Sequence, residues 1–161
     1  MRRILALVLA VVVVALPGTS AAASEPRWSW PVGGAHTIVR PYLAPATAYA
    51  AGHRGVDIAA TGAVTAPADG VVHFAGFVVD RPVLSIVHAG GVISSYEPVT
   101  STLSKGDVVT RGEIVGALQP GHCLQSCLHF GVRIDGQYVS PMLFLGGLPH
   151  SVLLPTRRVG R

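Results

Sequence analysis

An all-β domain, a sandwich or a barrel, is the fold class this sequence predicts. Short apolar runs recur between Gly- and Asp-containing turn signals, and almost nothing after residue 23 carries the 3.6-residue period of a helix. The chain beyond that point is one domain's worth of residues.

The first residues stand apart. Arg2 and Arg3 precede an unbroken apolar run over residues 4–16, Pro17 and Gly18 break it, and Ala21, Ala22 and Ala23 supply small side chains for a signal peptidase. The run is thirteen residues, short of the ~20 that cross a bilayer as a helix. No Cys follows it to carry a lipid anchor. Residues 1–23 are therefore read as a cleaved secretory signal rather than a membrane anchor. That predicts a secreted, extracytoplasmic protein with no membrane span after processing. The formal charge of +4 loses Arg2 and Arg3 with the signal. What is left is too small to argue for nucleic acid, yet it suits a negatively charged surface such as a cell wall.

Residues 24–31 form an extended lead-in whose indoles, Trp28 and Trp30, are expected to cover one edge of the core. A strand is expected within residues 32–40, ahead of Pro41. Residues 42–52 are Ala/Pro-rich without a clean period and read as a surface loop. Residues 56–59 read as a strand, residues 61–63 as a turn. Strands over 64–67 and 70–77 follow, separated by Asp69-Gly70. Residues 83–88 and 92–96 are expected to pair across Ala89-Gly90-Gly91. Short strands at 108–109 and 114–118 follow the turns Lys105-Gly106-Asp107 and Arg111-Gly112-Glu113. Residues 128–134 and 137–139 read as a hairpin across Asp135-Gly136, a strong two-residue signal. Residues 141–145 allow one helical turn. The domain is taken as 32–147, with a basic tail over 148–161 that holds Arg157, Arg158 and Arg161.

Three residues carry the chemistry. His53-Arg54-Gly55-Val56-Asp57 places a His and an Asp four apart at a loop-to-strand entry. Gly55 is expected to let the chain turn sharply enough to bring both side chains onto one point. His129 lies on the later strand. A His/Asp/His set offers Zn2+ two imidazole nitrogens and one carboxylate oxygen, and leaves one tetrahedral position open, the catalytic rather than the structural pattern. On spacing alone the set is weakly specified, because His-x-x-x-Asp arises often by chance.

The two cysteines, Cys123 and Cys127, have three residues between them. In an exported chain they are expected to form a disulfide, which is feasible where the backbone turns. A second reading stays open. Left reduced, Cys127 would share the strand face of His129 and could offer its thiolate as a fourth zinc ligand.

The residues around these motifs fall into ordered segments. His53-Arg-Gly-Val-Asp-Ile-Ala-Ala60 is followed by Val64-Thr-Ala-Pro-Ala-Asp-Gly-Val-Val72 and Ser85-Ile-Val-His-Ala-Gly-Gly-Val92. Then come Lys105-Gly-Asp-Val-Val-Thr-Arg-Gly-Glu-Ile-Val-Gly116 and Leu128-His-Phe-Gly-Val-Arg133. In this order and at these spacings the sequence resembles the lysostaphin-type zinc metallopeptidases of bacterial cell walls, over residues 30–146. The resemblance implies a compact antiparallel β-sandwich or barrel (a duplicated hybrid motif) with a groove crossing one sheet. It also implies zinc held by His53, Asp57 and His129, and hydrolysis of peptide bonds in the stem or cross-bridge peptides of peptidoglycan.

Two departures qualify the resemblance. The family's His-x-His reads Cys127-Leu128-His129 here, and its Tyr-x-His-Leu reads Tyr96-Glu97-Pro98-Val99. Both assisting histidines are thus replaced, and losing a positioned general base costs about 10²–10⁴-fold. His122 is one candidate substitute, aimed at the metal if a Cys123–Cys127 bridge tightens its loop. Glu97 is another, although strand alternation is expected to turn it away from the side that Pro98 faces unless a bulge intervenes. The alternative to a peptidase is a weak or inactive relative that binds wall peptides or regulates a partner wall hydrolase. His88 matches a family position that looks structural, and His36, His73 and His150 carry no motif.

Overall fold

A computed structural model describes residues 28–47 and 50–146 of the chain; the expected signal over 1–23 and the basic tail over 148–161 lie outside the described residues. In chain order the strands are β1 (Ile38–Arg40), β2 (Gly55–Ala59), β3 (Ala63–Thr65), β4 (Gly70–Val78), β5 (Arg81–His88) and β6 (Ile93–Glu97). They continue with β7 (Val99–Thr100), β8 (Val108–Val109), β9 (Ile114–Leu118), β10 (Cys127–Ile134) and β11 (Gln137–Val139), and end in the single-turn helix α1 (Met142–Leu145). Every pairing is antiparallel. The larger sheet runs β1-β2-β10-β6-β5-β4-β8, with β11 also on β10, and the smaller runs β3-β9-β7. The expected all-β, antiparallel fold is what forms.

Alternation explains how the two sheets share one core. β10 sends Leu128, Phe130 and Val132 inward, β2 sends Val56 and Ile58, β5 sends Leu84 and Ile86, and β6 sends Tyr96. Val64, Val99 and Val115 of the smaller sheet pack into the same cluster. Trp28 packs against His88 and Phe144, each at 4.5 Å between ring centroids, while Trp30 stacks on His36 at 4.4 Å. The indoles therefore close the edge of the core.

Local chemistry accounts for the differences from expectation. The strand expected over 32–40 shrinks to β1, because Gly34 and His36 adopt positive φ (91° and 50°) and break the extended run. The β4–β5 turn carries no glycine; Val79 takes φ 60° there, a conformation that β-branched residues rarely adopt, so no turn signal marked it. β7 is too short to show a period.

A buried polar chain ties β5 to β6. The His88 Nδ1–H donates to the Asp69 carbonyl (2.8 Å), the Ser94 hydroxyl donates to His88 Nε2 (2.7 Å), and the Tyr96 hydroxyl donates to Ser94 Oγ (2.8 Å). Burial lowers the His88 pKa below its ordinary 6.5, against the opposing pull of backbone partners and the Asp69 charge. A folded pKa below the unfolded one means the contribution is fully present above about pH 6.5 and is lost as pH falls through the folded value. Urea unfolding of the metal-free protein should show stability falling on that acid side. His88→Gln should flatten the fall, and an unchanged slope would remove His88 from the account. Burial likewise raises the Tyr96 phenol far above its usual range.

Candidate metal centre

Neighbours in register on a sheet share a face, and the outer face of the larger sheet carries two such rows. In the first, Asp57 of β2 pairs with His129 of β10, and His129 pairs with Glu97 of β6. In the second, Gly55, Gly131, Ser95 and Ser85 stand side by side across β2, β10, β6 and β5. The first row concentrates donors. Ser95 and Ser85 of the second row line a groove of about 690 Å³, together with Glu97, His122 and His129.

His53 enters from the loop ahead of β2, fixed by reciprocal backbone hydrogen bonds with Leu43 (2.8 and 3.0 Å). Its Nδ1–H donates to the Pro41 carbonyl (2.7 Å), which turns Nε2 towards Asp57 Oδ1 and His129 Nδ1, each 3.1 Å away. His129 Nδ1 lies 2.7 Å from the same carboxylate oxygen. His122 Nε2 approaches it from the opposite loop at 3.2 Å. Burial works against ionisation of Asp57, but the hydrogen bond from His129 and the nearby His129, His53 and His122 together hold its pKa below the usual carboxylate value.

The donor chemistry fits a cation. A neutral His53 that donates Nδ1–H to Pro41 presents its Nε2 lone pair to the point that Asp57 Oδ1 and His129 Nδ1 also face, the tautomer a metal-binding imidazole needs. The donor atoms of His53, Asp57, His122 and His129 all lie within 4.8 Å of one another. Ligands at ~2.0–2.2 Å in a tetrahedron stand about 3.3–3.6 Å apart, and nitrogen with carboxylate oxygen is a set that zinc accepts. The hydrogen bond behind His53 is the supporting partner that orients metal-binding histidines.

The predicted trio is thus brought together. The expected disulfide is also present: Cys127 is bonded to Cys123, with Cα atoms 5.9 Å apart, which closes the alternative of a thiolate ligand. Two expectations are corrected. Glu97 faces the groove: β6 buries Ser94 and Tyr96, which leaves Ser95 and Glu97 on the outer face, and the strand ends at Glu97 before Pro98 can continue the alternation. Gly55 does not turn the chain: it is the first residue of β2, where an added Cβ would press on the Phe130 carbonyl and stand 2.8 Å from His129 Nε2.

Other groove residues had no sequence signal, because only cross-strand register collects them. Arg81 Nη1 donates to Glu97 Oε1 at 2.6 Å. Arg54 and Arg133 lie over the Tyr138 ring at 5.8 and 5.6 Å from its centroid, and His73 lines the same groove. Among the described residues no helix is long and apolar enough to cross a membrane.

Comparison with known proteins agrees with this architecture. Proteins of Mycobacterium bovis and Mycobacterium tuberculosis, both described as uncharacterized, are 35% identical to this chain over 92% of it and 64% of their own length. The chain therefore spans less than two thirds of these relatives. A zinc containing peptidase from Vibrio cholerae superposes with a TM-score of 0.59 at 22% identity, over 73% of this chain and 40% of that one. The catalytic domain of the antimicrobial peptidase lysostaphin from Staphylococcus simulans does so with a TM-score of 0.60 at 22% identity, over 70% of this chain and 93% of that one. These structures share the fold. The family model of peptidase family M23 matches residues 51–141. That match extends over more than half of the chain, and on it the chain belongs to peptidase family M23.

Proposed function

We propose that this chain is an exported zinc metalloendopeptidase that cleaves peptide bonds in the stem or cross-bridge peptides of peptidoglycan. One observation carries the reading: His53, Asp57 and His129 converge beside a groove that Ser85, Ser95 and Glu97 line along the sheet. Small side chains such as Ser85 and Ser95 suit a slim, extended peptide. Zinc held by His53, Asp57 and His129 would polarise a scissile carbonyl and lower the pKa of bound water. The chain's own residues do the rest. Pro41 fixes the His53 tautomer through its carbonyl, and Asp57 brings negative charge among the imidazoles. Glu97, 3.6 Å from His122, is the carboxylate beside the centre that is left to handle a proton, since Pro98 carries none and Cys127 is in a disulfide. Arg54 and Arg133, gathered around Tyr138, put positive charge at one end of the groove, where a peptide carboxylate would be held. Residues 1–23 support export to the cell wall.

The loss of both assisting histidines supports a second reading, a weak or inactive relative that binds wall peptides or regulates a partner hydrolase. Titration of free amino groups separates the two. Purified peptidoglycan should gain them on incubation with the zinc-loaded protein and not with metal-stripped protein. Tight binding to peptidoglycan without any gain would favour the second reading.

A further inference from the structure

His122 stands among the three predicted ligands. Its Nε2 stands 3.2 Å from Asp57 Oδ1, the same spacing within 0.1 Å as His53 Nε2 at 3.1 Å. Its donor atom belongs to the four that lie mutually within 4.8 Å. The opposite edge of the ring faces Glu97, with Nδ1 3.6 Å from Oε1, and Glu97 is in turn held by Arg81 at 2.6 Å. Carboxylate behind imidazole is the arrangement that orients metal-binding histidines. The residue next to His122 is Cys123, bonded to Cys127 two positions before His129 on β10, so the loop is tied to the strand that carries another ligand. The side chain is only 15% exposed. It also borders two cavities, the groove lined by Arg54 and Tyr138 and a second, of about 450 Å³, lined by Val39, Arg40 and Leu124.

A water-activating base stands one hydrogen bond of ~2.6–3.2 Å beyond a metal-bound water. Ligands of one tetrahedral zinc stand ~3.3–3.6 Å apart. His122 Nε2 stands 3.2 Å from Asp57 Oδ1 and within 4.8 Å of the other two donor atoms, inside the cluster rather than beyond it. The geometry points to His122 as a fourth protein donor that closes the centre, with Glu97, Arg81 and the Cys123–Cys127 bridge as its positioning residues. This rests on the zinc reading above and adds its regulation: the centre opens to a substrate only when His122 gives up its place among the donors.

Cobalt(II) substitution of the full chain tests this without an activity assay. Cobalt-loaded wild type should keep its visible spectrum when azide is added, because no position is open to it. His122→Ala should bind zinc more than ~100-fold more weakly in chelator competition and should show an azide-dependent spectral shift. Glu97→Gln should weaken zinc about 10–100-fold, as loss of a supporting partner does. His122→Gln guards against misfolding of the alanine variant, and both are compared with wild type by circular dichroism. An azide shift in the wild type, or zinc affinity in folded His122→Ala within about twofold of wild type, would overturn the fourth donor while leaving the three-ligand centre intact. No zinc or cobalt bound by wild type would overturn both.

Discussion

Asp57→Ala is expected to strip the protein of zinc, from about one equivalent to background, while circular dichroism remains that of a β protein. Asp57 is 2% exposed, and its Oδ1 is the one atom that His53, His122 and His129 all face. Without it, imidazoles crowd together with no negative charge among them to favour a dication. The fall in affinity should exceed the ~10–100-fold seen when a merely supporting partner is removed. Asp57→Asn keeps the shape and removes only the charge, so it should lose nearly as much. Full zinc content in either variant, by metal analysis after dialysis, would displace Asp57 from the centre.

Gly55→Ala is expected to destabilise the fold by about 1–3 kcal/mol and to weaken metal binding as well. The added carbon would stand 2.8 and 2.9 Å from His129 Nε2 and Cε1, and it would also press on the Phe130 carbonyl. That carbonyl belongs to β10, which is held between β2 and β6, so little can yield without moving the ring. Gly131→Ala provides the contrast. There the nearest atom is Ser95 Oγ at 2.7 Å, a hydroxyl that can rotate away, so the loss should be smaller and the metal retained. Urea unfolding and zinc titration on both variants check this. Equal effects at the two glycines would mean that His129 is not pinned from beneath.

The strands were legible where alternation or a turn pair marks them, as in β2, β10 and the Asp135-Gly136 hairpin. His53, Asp57 and His129 were weakly marked by their own spacing and were singled out by the ordered segments that carry the family resemblance; the structure places them together. The disulfide followed from two cysteines at a turn-compatible spacing in a chain read as exported. What escaped was everything decided between strands. Glu97 reaches the groove because it pairs with His129 where β6 ends, and Arg81 matters because the β4–β5 hairpin brings it to Glu97. His122 was partly legible, since the bridge expected at its neighbour Cys123 offered a way to aim it at the centre, but its 3.2 Å approach to Asp57 depends on the closed loop. Register and loop closure are pair properties, and no single segment carries them.

Mass spectrometry of muropeptides tests the central claim most directly. Peptidoglycan is incubated with the zinc-loaded protein, with Asp57→Ala and with buffer, and the fragments are compared. The account predicts new peptide termini, all at one type of peptide bond, that appear with the zinc-loaded protein and vanish with Asp57→Ala. Identical fragments in all three samples, from a protein carrying one equivalent of zinc, would contradict it.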